Sequence, residues 1–332
     1  MSLKLKLSPN RLFDNVKVKF FNLLKIAVLS IIIVLILLQY LGAGLGLLAG
    51  LIFSLTFGNP IQIYSQKWAE LLLKISVVGL GFGLDLTMFW GTLIDSAWLT
   101  IFTIVTSLFI GLLLGRLLRV HDKLSFLIAS GSAICGGSAI AAISPTIQAK
   151  QEQTVVALAI VFILNGLALY LFPIIGSYLE LTQLQFGTWA ALAIHDTSSV
   201  VGAASIYGEE ALKIATITKL MRALWIIPLV LVASLYMRKA QGAQQNTTIA
   251  IPYFIFLFIL ASAATTFIPV IQTFNASLVS IAKICLVVSL FFMGLGFSKQ
   301  LLRSLDAKPV IQAAILWLII SVISLLVILK TL

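Results

Sequence analysis

Apolar stretches long enough to cross a lipid bilayer recur along almost the whole chain and leave room for little else. A helix needs about 20 mostly apolar residues to span the hydrocarbon core. The candidate segments are 24–41, 43–58, 71–93, 97–118, 124–148, 153–175, 186–207, 210–237, 250–270, 279–299 and 308–330. Hydrophobic residues make up 61% of the sequence and charged residues only 10%, where soluble domains carry about 25% charged residues. The spacing predicts an all-α polytopic membrane protein of about 10–11 transmembrane segments. No loop is long enough to fold as a soluble domain of its own.

Charge placement supplies an orientation. The formal net charge of +11 sits mostly in short loops, which fits the positive-inside bias and calls for no nucleic-acid partner. Residues 1–25 form a basic segment expected in the cytoplasm, and residues 26–332 a single transmembrane transporter domain. The first apolar run is read as a retained helix, since its long basic front lacks the form of a cleaved signal peptide. Lys67 and Lys74, then Arg116, Arg119 and Lys123, then Arg238 and Lys239, then Lys299, Arg303 and Lys308 mark cytoplasmic ends. Loops near Asp95, Glu209 and Gln272 lack such clusters and read as external. Eleven full crossings satisfy this pattern. A second arrangement does equally well, with 124–148 and 186–207 as re-entrant hairpins, Lys150 inside and Glu180 outside.

Two of these segments are interrupted by polar, conformationally loose sequence. The first reads Ser-Gly-Ser-Ala-Ile-Cys-Gly-Gly-Ser-Ala from Ser130 to Ala139; the second reads Ala-Ile-His-Asp-Thr-Ser-Ser from Ala193 to Ser199. Hydrocarbon offers no hydrogen bonds, so irregular backbone at membrane depth persists only inside protein or beside a wet cavity. Paired interruptions of this type point to a transporter's binding site. Gly136 and Gly137 free backbone N–H groups, and a half-helix starting near Ser138 would present its positive dipole end to a ligand. Ser132 and Ser138 add hydroxyls. Close packing through small residues is the structural alternative.

His195 and Asp196 lie near the middle of their segment, followed by Thr197, Ser198 and Ser199. An ionisable pair at that depth is a candidate for ion coupling. The imidazole and carboxylate could exchange a proton, or Asp196 and the hydroxyls could hold a sodium ion through oxygen ligands. A purely structural His–Asp hydrogen bond is the alternative. Lys219 and Arg222, three residues apart, share a helix face. Arg222 lies roughly 20 Å from either end of its segment. Such cations suit either a transported oxyanion, which the Arg fork can grip bidentately, or an internal partner such as Asp196. Asn165 is a mid-span polar candidate for coupling or interhelical bonding, and Asp85 reads as a solvated carboxylate. Cys135 and Cys285 define no disulfide framework and no metal-ligand spacing. No cofactor is expected beyond a coupling ion.

Short internal matches accompany the breaks. Gly79-Leu80-Gly81-Phe82 recurs as Gly294-Leu295-Gly296-Phe297, and Ala133-Ile134 as Ala193-Ile194, with Ser138 matching Ser198. Inverted repeats of this kind are common in transporters.

The stretch Ser-Ala-Ile-Cys-Gly-Gly-Ser-Ala-Ile-Ala-Ala over 132–142, with Ser144-Pro145, resembles the signature of the YeiH-type sulfate exporter family. Ile194 to Thr197, Val200 to Gly202 and Lys219 to Arg222 resemble it too. The resemblance runs through nearly the whole chain and implies a bacterial inner-membrane transporter. The breaks are also similar, more distantly, to the crossing unwound helices of bile-acid-type sodium symporters. The chain departs from the pattern at Gly83, where an arginine is expected, and at Thr197-Ser198-Ser199, where Thr-Ala-Gln is expected.

Together these readings imply a secondary active transporter of a small inorganic or organic anion, such as sulfate or a related oxyanion or sulfonate. It would be coupled to protons or sodium, and would work in the lipid bilayer with homodimerisation left open. Two other classes remain: an anion channel, and an intramembrane serine protease using Ser138 and His195. The first is distinguished by conduction without gradient coupling, the second by a Ser–His hydrogen bond and covalent labelling of Ser138.

Overall fold

The computed structural model describes residues 9–84, 86–241, 253–297 and 305–332, and Asp85, Lys299 and Arg303 lie outside the described residues. Helices account for the regular structure, and no strand occurs among the described residues. In chain order they are α1 (Pro9–Leu37), α2 (Ala43–Phe57), α3 (Gln62–Gly81), α4 (Leu86–Leu117) and α5 (Asp122–Ala133). Next come α6 (Gly137–Thr146), α7 (Gln151–Tyr178), α8 (Gln183–Ala193), α9 (Thr197–Tyr207) and α10 (Glu209–Leu224). The last are α11 (Ile226–Gln241), α12 (Phe254–Phe267), the single turn α13 (Pro269–Gln272), α14 (Asn275–Leu295) and α15 (Ala307–Thr331). Five stretches are long and apolar enough to cross a membrane: 97–117, 151–178, 209–235, 275–295 and 307–331. Shorter apolar helices accompany them. The chain is an all-α polytopic membrane protein.

Local chemistry explains the breaks. Pro228 has no N–H for a helical bond to Leu224, and α10 gives way to α11 at Trp225. The expected span 71–93 is instead divided. α3 begins earlier, at Gln62, and ends at Gly81; α4 then starts at Leu86. Successive turns close that junction, with the N–H groups of Phe82, Gly83 and Leu84 donating to Gly79, Leu80 and Gly81. The matching sequence at the end of α14 makes the same turn, Phe297 N–H to Gly294.

The decisive result for topology concerns α5–α6 and α8–α9, because each pair returns to the face it came from. At the base of the first pair, Lys123 Nζ donates to the Gln148 carbonyl at 2.8 Å, and Gln153 meets His121 at 3.1 Å. At the base of the second, the Tyr207 hydroxyl donates to the carbonyls of Leu181 (2.5 Å) and Gly176 (3.2 Å). There Gln183 Oε1 also accepts the N–H groups of Glu210 and Ala211 at 3.0 and 3.1 Å. Both are therefore re-entrant hairpins. Of the two arrangements that loop charge left open, this is the one in which 124–148 and 186–207 turn back. It corrects the likeness to crossing unwound helices, in which the ends of each segment would lie on opposite faces. The first base adjoins Gln153 near the start of α7, and the second adjoins Gly176 near its end. At 1.5 Å per residue these are roughly 35 Å apart, so the hairpins enter from opposite faces.

Arm length sets the depth of the tips. Arms of 12 residues in α5 and 11 in α8 reach about 16–18 Å, near the middle of a hydrocarbon core about 30 Å thick. Around the hairpins pack α4, α7, α10 and α15. A second group, α2, α3, α12 and α14, lies beside them and touches the hairpin group chiefly through α9. Within it α2 and α14 meet backbone to backbone. A Cβ on Gly50 would collide with the Phe291 carbonyl, and one on Gly294 with that of Leu47. Glycine is what allows this approach. α3 and α14 run antiparallel, with Gly79 against Ala282 and the Ser289 hydroxyl bonded to the Ala69 carbonyl.

Candidate functional site: two hairpin tips at mid-membrane

The tips, Ile134–Gly136 and Ile194–Asp196, meet. A Cβ on Gly136 would lie 3.3 Å from both Cα and Cβ of Asp196. Gly136 also holds φ +59°, a left-handed value that a side chain would strain. The two expected sequence breaks are thus brought into contact by the fold.

Each tip joins the C-terminus of one half-helix to the N-terminus of another, and the two kinds of end are treated differently. The C-terminal carbonyls, unsatisfied inside their own helices, are held by cations from α10. Arg222 Nε donates to the Ala133 carbonyl at 2.6 Å and Nη2 to that of Ser132 at 3.1 Å, both at the end of α5. Its Nη1 donates to the carbonyls of Ala191, at 3.2 Å, and of Leu192, at the end of α8. Lys219 Nζ donates to Ile194 at 2.7 Å and to Ala191 at 3.3 Å. Both side chains are fully buried. Neither forms an ion pair with a carboxylate among the described residues. The expected partnership of Arg222 with Asp196 is therefore replaced by a set of main-chain acceptors. Cations beside helix C-termini also oppose the negative end of the dipole.

The N-terminal ends contrast with each other. Asp196 caps α9: its Oδ2 accepts the Ser198 N–H at 3.0 Å and the Ser198 hydroxyl. Asn165 Oδ1 on α7 accepts the N–H groups of His195 and Asp196 at 3.1 and 3.3 Å, fixing the tip. On α6 the capping position is Gly136, and no side chain caps the helix. Ser138 occupies the same second helical position in α6 as Ser198 does in α9, as the internal sequence match anticipates. Ser138 is exposed and Gly137 half-buried, whereas Ser132, His195, Ser198 and Ser199 are buried. Asp196 and Thr197 are each 8% exposed, the accessible edge of an otherwise closed tip.

Several buried polar atoms at the tips have no hydrogen-bond partner: Ser132 Oγ, Ser199 Oγ, Asn165 Nδ2 and both ring nitrogens of His195. Such groups are costly in a dry interior unless something binds them. His195 makes no hydrogen bond to Asp196, so a structural His–Asp lock is absent. Ser138 is likewise unbonded to His195: the hydroxyl belongs to an exposed residue and the imidazole to a fully buried one. No group of three or more His, Cys, Asp or Glu suited to a metal occurs among the described residues.

Sequence reasoning missed two participants. Met293 of α14 receives the Ser198 hydroxyl at 3.5 Å, which ties the second tip to the neighbouring helix group. Tyr170 of α7 donates its hydroxyl to the Gly44 carbonyl of α2. A single Met or Tyr in an apolar helix carries no signal of such a role. Cys135, within the first interruption, is buried in the first tip.

Comparison with known proteins finds relatives among the membrane proteins of several bacteria. A membrane protein of Bacteroides thetaiotaomicron named UPF0324 is 47% identical over 277 residues, covering 83% of this chain and 82% of that protein. A UPF0324 membrane protein of Geobacter sulfurreducens is 44% identical, covering 89% of this chain and 94% of its own. One from Vibrio vulnificus is 46% identical, covering 80% and 84%. No solved structure matches the fold. The profile of the family described as Conserved hypothetical protein 698 matches residues 15–313, and the chain belongs to that family of membrane proteins.

Proposed function

We propose that the protein is a secondary active transporter that carries a small anion through the bacterial inner membrane, its N-terminus in the cytoplasm. One observation carries this reading: two hairpins from opposite faces meet at mid-membrane, with two buried cations against one carboxylate. Lys219 and Arg222 act through the carbonyls they hold, so they organise the tips and bias the local potential toward anions without gripping the substrate themselves. The anion is received at the uncapped start of α6 by Gly137 and Ser138, beside Gly136, with Thr197 at the accessible edge of the other tip. Ser132 and Ser199 supply hydroxyls that lack partners in the closed tips.

Asp196, as both helix cap and charge, is the coupling residue in this reading, with His195 beside it and Asn165 orienting the tip. A proton at Asp196 or a sodium ion among Asp196, Thr197 and Ser199 would weaken its repulsion of the substrate and link the two fluxes. Sulfate, a related oxyanion or a sulfonate fits the donor set; export is the direction favoured by the family resemblance. Movement of the hairpin group against α2, α3, α12 and α14 would expose the tips alternately.

Purified protein in proteoliposomes should take up radiolabelled sulfate or another small oxyanion only under an imposed proton or sodium gradient, and with saturation. Absence of transport for every oxyanion and sulfonate tested, under both gradients, would remove the assignment. Unsaturable conductance in planar bilayers would transfer it to a channel.

A further inference from the structure

A small crevice, about 30 Å³, opens between α10, α14 and the turn after α3, on the face where the α8–α9 hairpin has its base. Its lining combines apolar walls, including Leu84 and Val279, with three charged groups: Glu209 and Lys213 of α10 and Lys283 of α14. Glu209 and Lys283 form an ion pair across the crevice, joining the hairpin group to its neighbour. Their side chains are 80% and 38% exposed, so the pair is open to water and weak by itself. Lys213 has no ion pair among the described residues, which leaves the crevice one cation in excess. Its floor includes Thr216, and one turn deeper on α10 comes Lys219, whose Nζ reaches the second tip.

We propose that this crevice is an anion-capture site: Lys213 and Lys283 bind a small inorganic oxyanion on its way to or from the hairpin tips. Glu209 is a built-in competitor, holding Lys283 when no anion is present and releasing it when one arrives. The inference rests on the anion-transport reading for its purpose, though the site itself can be tested without transport. An excess of cations in an apolar-walled crevice raises the local anion concentration.

The test uses the full chain in neutral maltoside detergent, which removes any dependence on sidedness. Val279→Cys places a thiol in the crevice wall, and reaction of the unsubstituted chain corrects for Cys135 and Cys285. Anionic sulfonatoethyl methanethiosulfonate should react about 10-fold faster than its trimethylammonium analogue, and sulfate should slow it in a saturable way that chloride at equal ionic strength does not reproduce. Adding Lys213→Gln and Lys283→Gln should abolish both effects, while Glu209→Gln should lower the sulfate concentration needed for protection. Equal rates for the two reagents, no labelling, or protection that survives loss of both lysines would overturn the capture site. Saturable protection in a protein that transports no anion would leave the crevice assignment standing and remove only the transport reading.

Discussion

The two hairpin tips are built alike and finished differently. In each, an Ala-Ile pair closes the first arm and a Ser occupies the second position of the returning helix. Tip two spends a carboxylate, Asp196, on capping its returning helix, whereas tip one has glycine at that position and leaves α6 without a side-chain cap. A bare helix start attracts negative charge, and a helix start capped by carboxylate repels more of it. Placed in contact, the tips form a polarised pair; in the proposed transporter one end would receive the anion and the other would respond to whatever neutralises Asp196. Neither tip alone has both properties. Arg222 ties the two together, since its one guanidinium holds carbonyls from both first arms.

Breaking that tie should have the largest effect. Arg222→Ala withdraws donors from the buried carbonyls of Ser132, Ala133 and Leu192. Each orphaned acceptor costs about 1–3 kcal/mol, so the detergent-purified variant should melt well below wild type or fail to accumulate. Arg222→Lys should recover only part of the loss, because an ammonium lacks the planar fork. A variant that melts like wild type would separate the tips energetically.

Asp196→Asn sharpens the contrast by removing charge while keeping a cap. Asparagine caps a helix about as well as aspartate, so stability should change by less than about 1 kcal/mol. Transport should persist with its ion dependence flattened, measured as flux against the imposed proton and sodium gradients. Retention of full gradient dependence would move coupling away from this tip.

The smallest effect is expected at tip one. Ser138→Ala removes an exposed hydroxyl and should leave the melting temperature almost unchanged. Loss of one hydrogen bond to the anion, about 1 kcal/mol, should raise KM about fivefold with the maximal rate kept. A matching change for Ser198→Ala would be surprising, because that hydroxyl is already committed to Asp196.

Much of this arrangement was legible in the residues. Apolar run length, the Gly136-Gly137 interruption and the mid-span His195-Asp196 pair are local signals, and the fold places both interruptions at the hairpin tips. The Ser138–Ser198 match proved to be a match of helix position. What stayed open was whether each interrupted segment crosses the membrane or turns back. A broken apolar segment reads the same whether the chain crosses the membrane or turns back, because hydropathy has no sign along the membrane normal. Only the bonds at the hairpin bases, Lys123 to Gln148 and Tyr207 to Leu181, decided it.

The partners of the buried cations were hidden for a related reason. Sequence displays carboxylates as candidate partners for Lys219 and Arg222, but every residue also carries a carbonyl, and any helix end can offer several. By itself the sequence determined that this chain lives in a membrane, interrupts two helices, and buries two cations and an acid near them. Tertiary structure alone determined that the interruptions touch, that they arrive from opposite faces, and that the cations serve main chain and not carboxylate. The reason is physical: hydrophobic length and ionisable groups belong to residues, whereas unsatisfied helix ends exist only once the chain has folded back on itself.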